Sequence, residues 1–139
     1  MKDYIRIIRW QNLLFIAVLL WTMEKWVAVP VLNHIGFGEQ LPWWIFTMLI
    51  AATVLIAAAG YVINDYFDVK IDRINRPDRV IVAETISKET AMLYFQILMG
   101  VGMALGIWAA AALHSWALGV IYVMVPGLLW FYSSSYKRL

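Results

Sequence analysis

An all-α fold, a multi-pass bundle of transmembrane helices, is what this sequence predicts, and three observations predict it. Of its 139 residues, 63% are hydrophobic and only 14% are charged. A soluble domain averages about 45–50% apolar and roughly 25% charged residues, so composition argues against a water-soluble core. Four apolar stretches, at 10–32, 41–63, 91–113 and 115–135, come close to or exceed the about 20 residues that cross a bilayer as a helix. The bases are also partitioned. Ten of the eleven lysines and arginines lie before the first stretch, between the second and third, or after the fourth, and only Lys25 lies elsewhere.

The opening MKDYIRIIRWQNLLF is basic but lacks the short apolar core and small-residue cleavage site of a secretory signal. It reads as the start of the first span. Glu24 and Lys25 interrupt that span, yet ending it at Met23 would leave it too short from Leu13 onward to cross the membrane. Adjacent helical residues do not face each other, so these two are expected to have different partners, with the lysine able to snorkel towards headgroups.

Span two carries Ala51, Ala52, Ala57, Ala58, Ala59 and Gly60, and span three carries Gly102 and Gly106 four residues apart. Small residues of this kind let helix backbones approach closely. Pro126 followed by Gly127 predicts a bend in span four, because proline removes a backbone hydrogen bond. The absence of cysteine excludes disulfides and thiolate metal sites.

The distribution of bases places the N-terminus, the connection 64–90 and the C-terminus on the cytoplasmic side. In a bacterial cell that membrane would be the inner one. Trp26, Trp43, Trp44 and Trp116 then lie near the outer boundary, as do His34 and His114, which read as loop or interface residues. Membrane lipids are the expected surroundings, and no nucleic-acid partner is expected.

The most informative stretch is NDYFDVKIDRINRPDR, residues 64–79, directly after an uncharged run. Asp65, Asp68 and Asp72 are spaced three and four apart, with Asn64 four residues before Asp68. On a helix continuing from span two these side chains share one face. Carboxylates so crowded repel one another unless a cation lies between them. Hard oxygen donors suit Mg2+, which takes one or two carboxylates together with phosphate oxygens and water. Pro77 should end the helix and leave Arg76 and Arg79 to grip a phosphate with their planar guanidinium groups. The combination reads as a diphosphate site.

The competing reading is a charged juxtamembrane loop that pairs with itself and with anionic lipid. The helical spacing of the acids, the paired asparagines and the placed proline argue against it. A CDP-alcohol phosphotransferase motif would need a glycine where Val69 stands, and soluble prenyl-chain synthases do not have this hydropathy.

The run from Asn64 to Arg79, N-D-x-x-D-x-x-x-D-x-x-N-x-P-x-R, resembles the first aspartate-rich motif of the UbiA superfamily of intramembrane prenyltransferases. Arg9-Trp-Gln-Asn12 is similar to the R-x-x-N of the branch that makes archaeal-type ether lipids. Tyr132 and Lys137 resemble the family's Tyr-x-x-x-Lys element, with one extra residue between them. The family has nine membrane helices and a second D-x-x-x-D motif. After Val80 the only acids here are Glu84 and Glu89. The chain is therefore expected to hold the N-terminal four helices of that fold, as a fragment, a truncated product or one part of a split enzyme lacking its C-terminal half.

The resemblance implies Mg2+-dependent transfer of a prenyl group from an allylic prenyl diphosphate to a membrane-soluble acceptor. It assigns Asn64, Asp65, Asp68 and Asp72 to the metal, with Asp68, Asp72 and Lys137 catalytic. Arg9, Asn12, Asn64, Arg79 and Tyr132 fall to substrate, and Tyr61 or Tyr66 could face a developing cation. The Arg9/Asn12 element leans towards a geranylgeranylglyceryl phosphate acceptor. An aromatic acceptor of quinone, haem or chlorophyll type is the alternative, as is a non-catalytic four-helix membrane protein. Residues 1–139 alone are expected to be inactive.

Overall fold

The computed structural model describes residues 2–36, 41–75 and 80–135. A short helix, α1 (Lys2–Ile7), precedes four helices long and apolar enough to cross a membrane. These are α2 (Trp10–His34), α3 (Trp43–Asn75), α4 (Lys88–Ala112) and α5 (Trp116–Ser134). They coincide with the four predicted spans, with one extension that matters: α3 is 33 residues long. At about 1.5 Å per residue it is about 50 Å long, against a hydrocarbon core of about 30 Å. The excess of about 20 Å falls at its charged end, where the helix continues past the hydrocarbon core. The segment expected as a connection from residue 64 remains helical to Asn75, and the described non-helical part before α4 is only 80–87.

Small residues decide the packing. Ala52, Ala58 and Ala59 on α3 and Ala91, Ala109 and Ala110 on α4 are buried. At Gly102 an added Cβ would lie 2.9 Å from Ile56 Cγ1 and 3.1 Å from the Ala52 carbonyl oxygen. At Gly106 it would run into the ring of Tyr122 on α5. That ring is seated so that the Tyr122 hydroxyl donates to the Leu49 carbonyl at 3.2 Å and lies 3.1 Å from Thr53 Oγ1. A buried phenol in a membrane needs such partners. Pro126 sits inside α5, which runs on through it.

Two irregularities shape the first span. Arg9 joins α1 to α2 in the left-handed conformation (φ 53°, ψ 55°), which costs a non-glycine residue energy and tends to mark functional sites. Further along, Glu24–Ala28 form a π-turn just before Pro30, whose ring would otherwise press on the carbonyl four residues back. The expectation of separate partners for Glu24 and Lys25 is corrected there. Lys25 Nζ reaches back to Glu24 Oε2 at 3.3 Å, which the long lysine stem permits even between neighbours. The approach is a charge contact without hydrogen-bond alignment, since that carboxylate oxygen is buried and accepts no hydrogen bond among the described residues.

After residues 76–79 the chain forms a tight knot. The Ile81 carbonyl accepts from the backbone N–H groups of Thr85 at 2.9 Å and Ile86 at 3.0 Å, with Ala83 at φ 69° making the turn. Ile81, Val82 and Ile86 are buried beneath it. Arg73 on the projecting end of α3 donates to Glu84 Oε1 at 2.8 Å.

A candidate anion site at the end of the second span

The projecting part of α3 turns its acidic face towards the joint between α1 and α2. Between them lies a cavity of about 620 Å³ lined by Arg6, Arg9, Asn64, Asp65, Asp68, Asp72 and Ile81. Helical spacing places the acids on one side of α3, and Ile7, fully buried, anchors α1 beside it. The left-handed turn at Arg9 then directs its side chain onto α3. Arg9 Nη2 donates to Asp65 Oδ1 at 2.9 Å, while its guanidinium carbon lies 4.9 Å from the centre of the Tyr61 ring. Asn12, one turn into α2, donates to the Tyr61 hydroxyl at 3.4 Å. Asn64 Nδ2 donates to Asp68 Oδ2 at 3.0 Å.

Arg9 and Asn64 also line a second cavity of about 340 Å³ with Ala57, Gly60, Tyr61, Leu129, Tyr132 and Ser133. The two cavities share a wall. One is polar and lies at the charged end of α3, whereas the other lies between α3 and α5 among mainly apolar and aromatic groups. An amphiphile with a charged head would have a place for each end.

The charges decide what the polar cavity can hold. Among the described residues three carboxylates face two guanidinium groups, a formal charge of −1 that by itself repels a polyanion. Asp65 is committed to Arg9, while Asp68, which accepts from Asn64, and Asp72 stand one helical turn apart. Among the described residues no three acidic, histidine or cysteine side chains converge as a ready-made metal cage. A two-carboxylate set fits an octahedral hard cation completed by phosphate and water, and does not fit a structural site closed by protein alone.

Of the residues singled out from sequence, Arg9, Asn64, Asp65, Asp68 and Asp72 converge. Asn12 is linked to them through Tyr61, and Tyr132 lines the adjoining cavity. Arg76, Arg79 and Lys137 lie outside the described residues. Tyr66 does not join them. It borders a separate cleft with Lys88, whereas Tyr61 stands at the site. Arg6 and Ile81 complete the lining without having been picked out. Arg6 lies three residues before Arg9, but the left-handed joint between them makes that spacing uninformative. Ile81 arrives from the knot after residue 79, which no periodicity announces.

The sequence model of the UbiA prenyltransferase family matches residues 26–139. Among curated proteins, the digeranylgeranylglyceryl phosphate synthase of Pyrococcus abyssi is 33% identical over 87% of the chain and 42% of that protein. The synthase of the same name from Methanosarcina barkeri is 32% identical over 98% of the chain and 46% of its own length. That of Methanobrevibacter smithii is 32% identical over 99% of the chain and 44% of its own length. The chain thus spans less than half the length of these relatives. No solved structure matches it.

Proposed function

The chain belongs to the UbiA prenyltransferase family, and on that premise we propose that its two adjoining cavities are the donor half of a prenyl-transfer site making ether lipids. The observation that carries this reading is their shared wall: Arg9 and Asn64 line both a cavity of carboxylates and guanidinium and a mainly apolar one beside it. The donor is an allylic prenyl diphosphate. The acceptor is a glyceryl phosphate lipid, a choice supported by the relatives' names and by the Arg9 and Asn12 element. The site opens on the cytoplasmic side, where the basic connections lie.

Asp68 and Asp72, with Asn64 and Asp65 beside them, would hold Mg2+, which when bound draws charge from the diphosphate and improves it as a leaving group. Arg9 supplies a guanidinium at the junction of the two cavities. Arg79 and Lys137 hold phosphate. The C–O bond breaks with its electron pair leaving on the diphosphate, and the acceptor oxygen attacks the allylic carbon. The hydroxyl proton passes to the departing diphosphate. Tyr61, with the Arg9 guanidinium over one side of its ring and its hydroxyl held by Asn12, would offer only its other side to a developing cation. Ala57, Gly60 and Leu129 keep the adjoining cavity apolar, so that water does not quench the cation.

The 139-residue polypeptide in lipid nanodiscs should bind inorganic pyrophosphate in the presence of Mg2+ and lose that binding in EDTA. Calorimetry showing equal binding without the metal would remove metal from the reading. The same polypeptide alone should form no product from radiolabelled geranylgeranyl diphosphate with lipid or aromatic acceptors, because it supplies one aspartate motif. Product above the no-protein control would show that one motif suffices.

A further inference from the structure

The face of α3 opposite the aspartates carries a cleft that the transferase reading does not use. Its volume is about 490 Å³, and Tyr66, Phe67, Val69, Lys70, Ile71 and Lys88 line it. Lys70 lies two residues from both Asp68 and Asp72, so it points away from them. Among the described residues no carboxylate lines this cleft, whereas three line the other. Among the described residues neither lysine forms an ion pair. Of the nearby described acids, Glu84 is engaged with Arg73, while Glu89, next to Lys88 at the start of α4, is exposed and interacts with it through charge alone.

The rest of the lining is apolar. Lys88 Nζ lies 5.9 Å from the centre of the Tyr66 ring, and Phe67 packs edge-on against Trp130 of α5, with ring centres 5.8 Å apart. Beside Lys70, Ile71 and Ile74 are 52% and 83% exposed. Two isoleucines so exposed are poorly suited to water and well suited to contact with an apolar chain. A cationic rim over aromatic and aliphatic walls matches an anion carried on a hydrocarbon chain.

We propose that this cleft binds a phosphate-headed lipid, with Lys70 and Lys88 on the phosphate and Tyr66, Phe67 and Ile71 against the start of its chain. The site is separate from the aspartate cavity and does not depend on the transferase reading. Two sources present that chemistry: an anionic phospholipid of the bilayer, or a phosphorylated isoprenoid held apart from the aspartates.

The test places the 139-residue chain in phosphatidylcholine nanodiscs doped with spin-labelled phosphatidylglycerol and reads the immobilised fraction. Wild type should immobilise phosphatidylglycerol over an equally labelled phosphatidylcholine. The K70Q/K88Q double variant should bind on the order of tenfold more weakly or worse, and K70R/K88R should restore binding. Should the double variant lose helicity, the single K70Q and K88Q variants carry the same comparison. Equal immobilisation of both lipids, or retention by the glutamine variants, overturns the site. Displacement of the label by geranylgeranyl diphosphate identifies the isoprenoid as ligand, and persistence of the signal identifies the phospholipid. Mg2+-dependent pyrophosphate binding, measured in parallel, should be unchanged in all the lysine variants.

Discussion

The two halves of α3 are one continuous helix with opposite requirements. Inside the bilayer, Ala52, Ala58 and Ala59 are buried against the neighbouring helices, and size is what matters at each position. Beyond the bilayer, Asn64 to Asp72 carry the polar groups of a cavity, and charge is what matters. The lower half holds the bundle together, and the upper half is held out by it. Substitutions should therefore separate cleanly, with stability lost below and ligand lost above.

The strongest test of that separation is Asp68→Ala. It should weaken Mg2+-dependent pyrophosphate binding a hundredfold or more, about 2.7 kcal/mol or greater, while the thermal midpoint in nanodiscs stays within a degree or two of wild type. A variant that binds normally would free Asp68 from any role with metal. Below the surface the pattern should invert. Gly106→Ala drives a methyl into the Tyr122 ring, and overpacking of this kind costs about 1–3 kcal/mol. A lower melting temperature with intact pyrophosphate affinity per folded molecule is the expected result. Unchanged melting would mean that α4 and α5 are not in the contact described.

Smaller still is Tyr122→Phe, which removes the hydroxyl shared by Leu49 and Thr53. Hydrogen bonds between membrane helices are worth about 0.6 kcal/mol on average, so a modest fall in melting temperature is expected. Thr53 keeps its own bond to the Leu49 carbonyl at 2.8 Å, which limits the loss. Last comes Glu84→Gln, which weakens an ion pair whose side chains are about half exposed. Pairs so exposed contribute about 0–1 kcal/mol. A shift as large as that of Gly106→Ala would mean that the knot after residue 79 is part of the packed bundle.

Much of this is legible in the amino-acid sequence. The four spans follow from hydropathy and length, and the acidic face follows from intervals of three and four. Tyr61 could have been separated from Tyr66 in the same way: it lies seven residues before Asp68, on the same side, whereas Tyr66 lies two before it. What sequence does not carry is the left-handed joint at Arg9, because a non-glycine residue in that conformation has no compositional signal. Without the joint, Arg6 is just another basic residue at a membrane edge. The Glu24–Lys25 contact is hidden for a related reason, since it depends on how far a flexible lysine reaches around its own backbone. Residues 76–79, and Lys137 with them, fall outside what the structure describes, so their part in the site rests on the motif.

The length of α3 makes the site sensitive to the thickness of the membrane around it. The aspartates stand clear of the lipid by whatever length the hydrocarbon does not cover, and a helix of 33 residues has a fixed total to divide. In a bilayer of longer acyl chains the lipid must thin locally, at a fraction of a kcal/mol per Å, or cover more of the helix. The acidic turns then sit closer to the headgroups, where the phosphates of the lipids compete for the same cation. Pyrophosphate affinity should accordingly fall as nanodisc lipids are lengthened, with no residue of the protein changed.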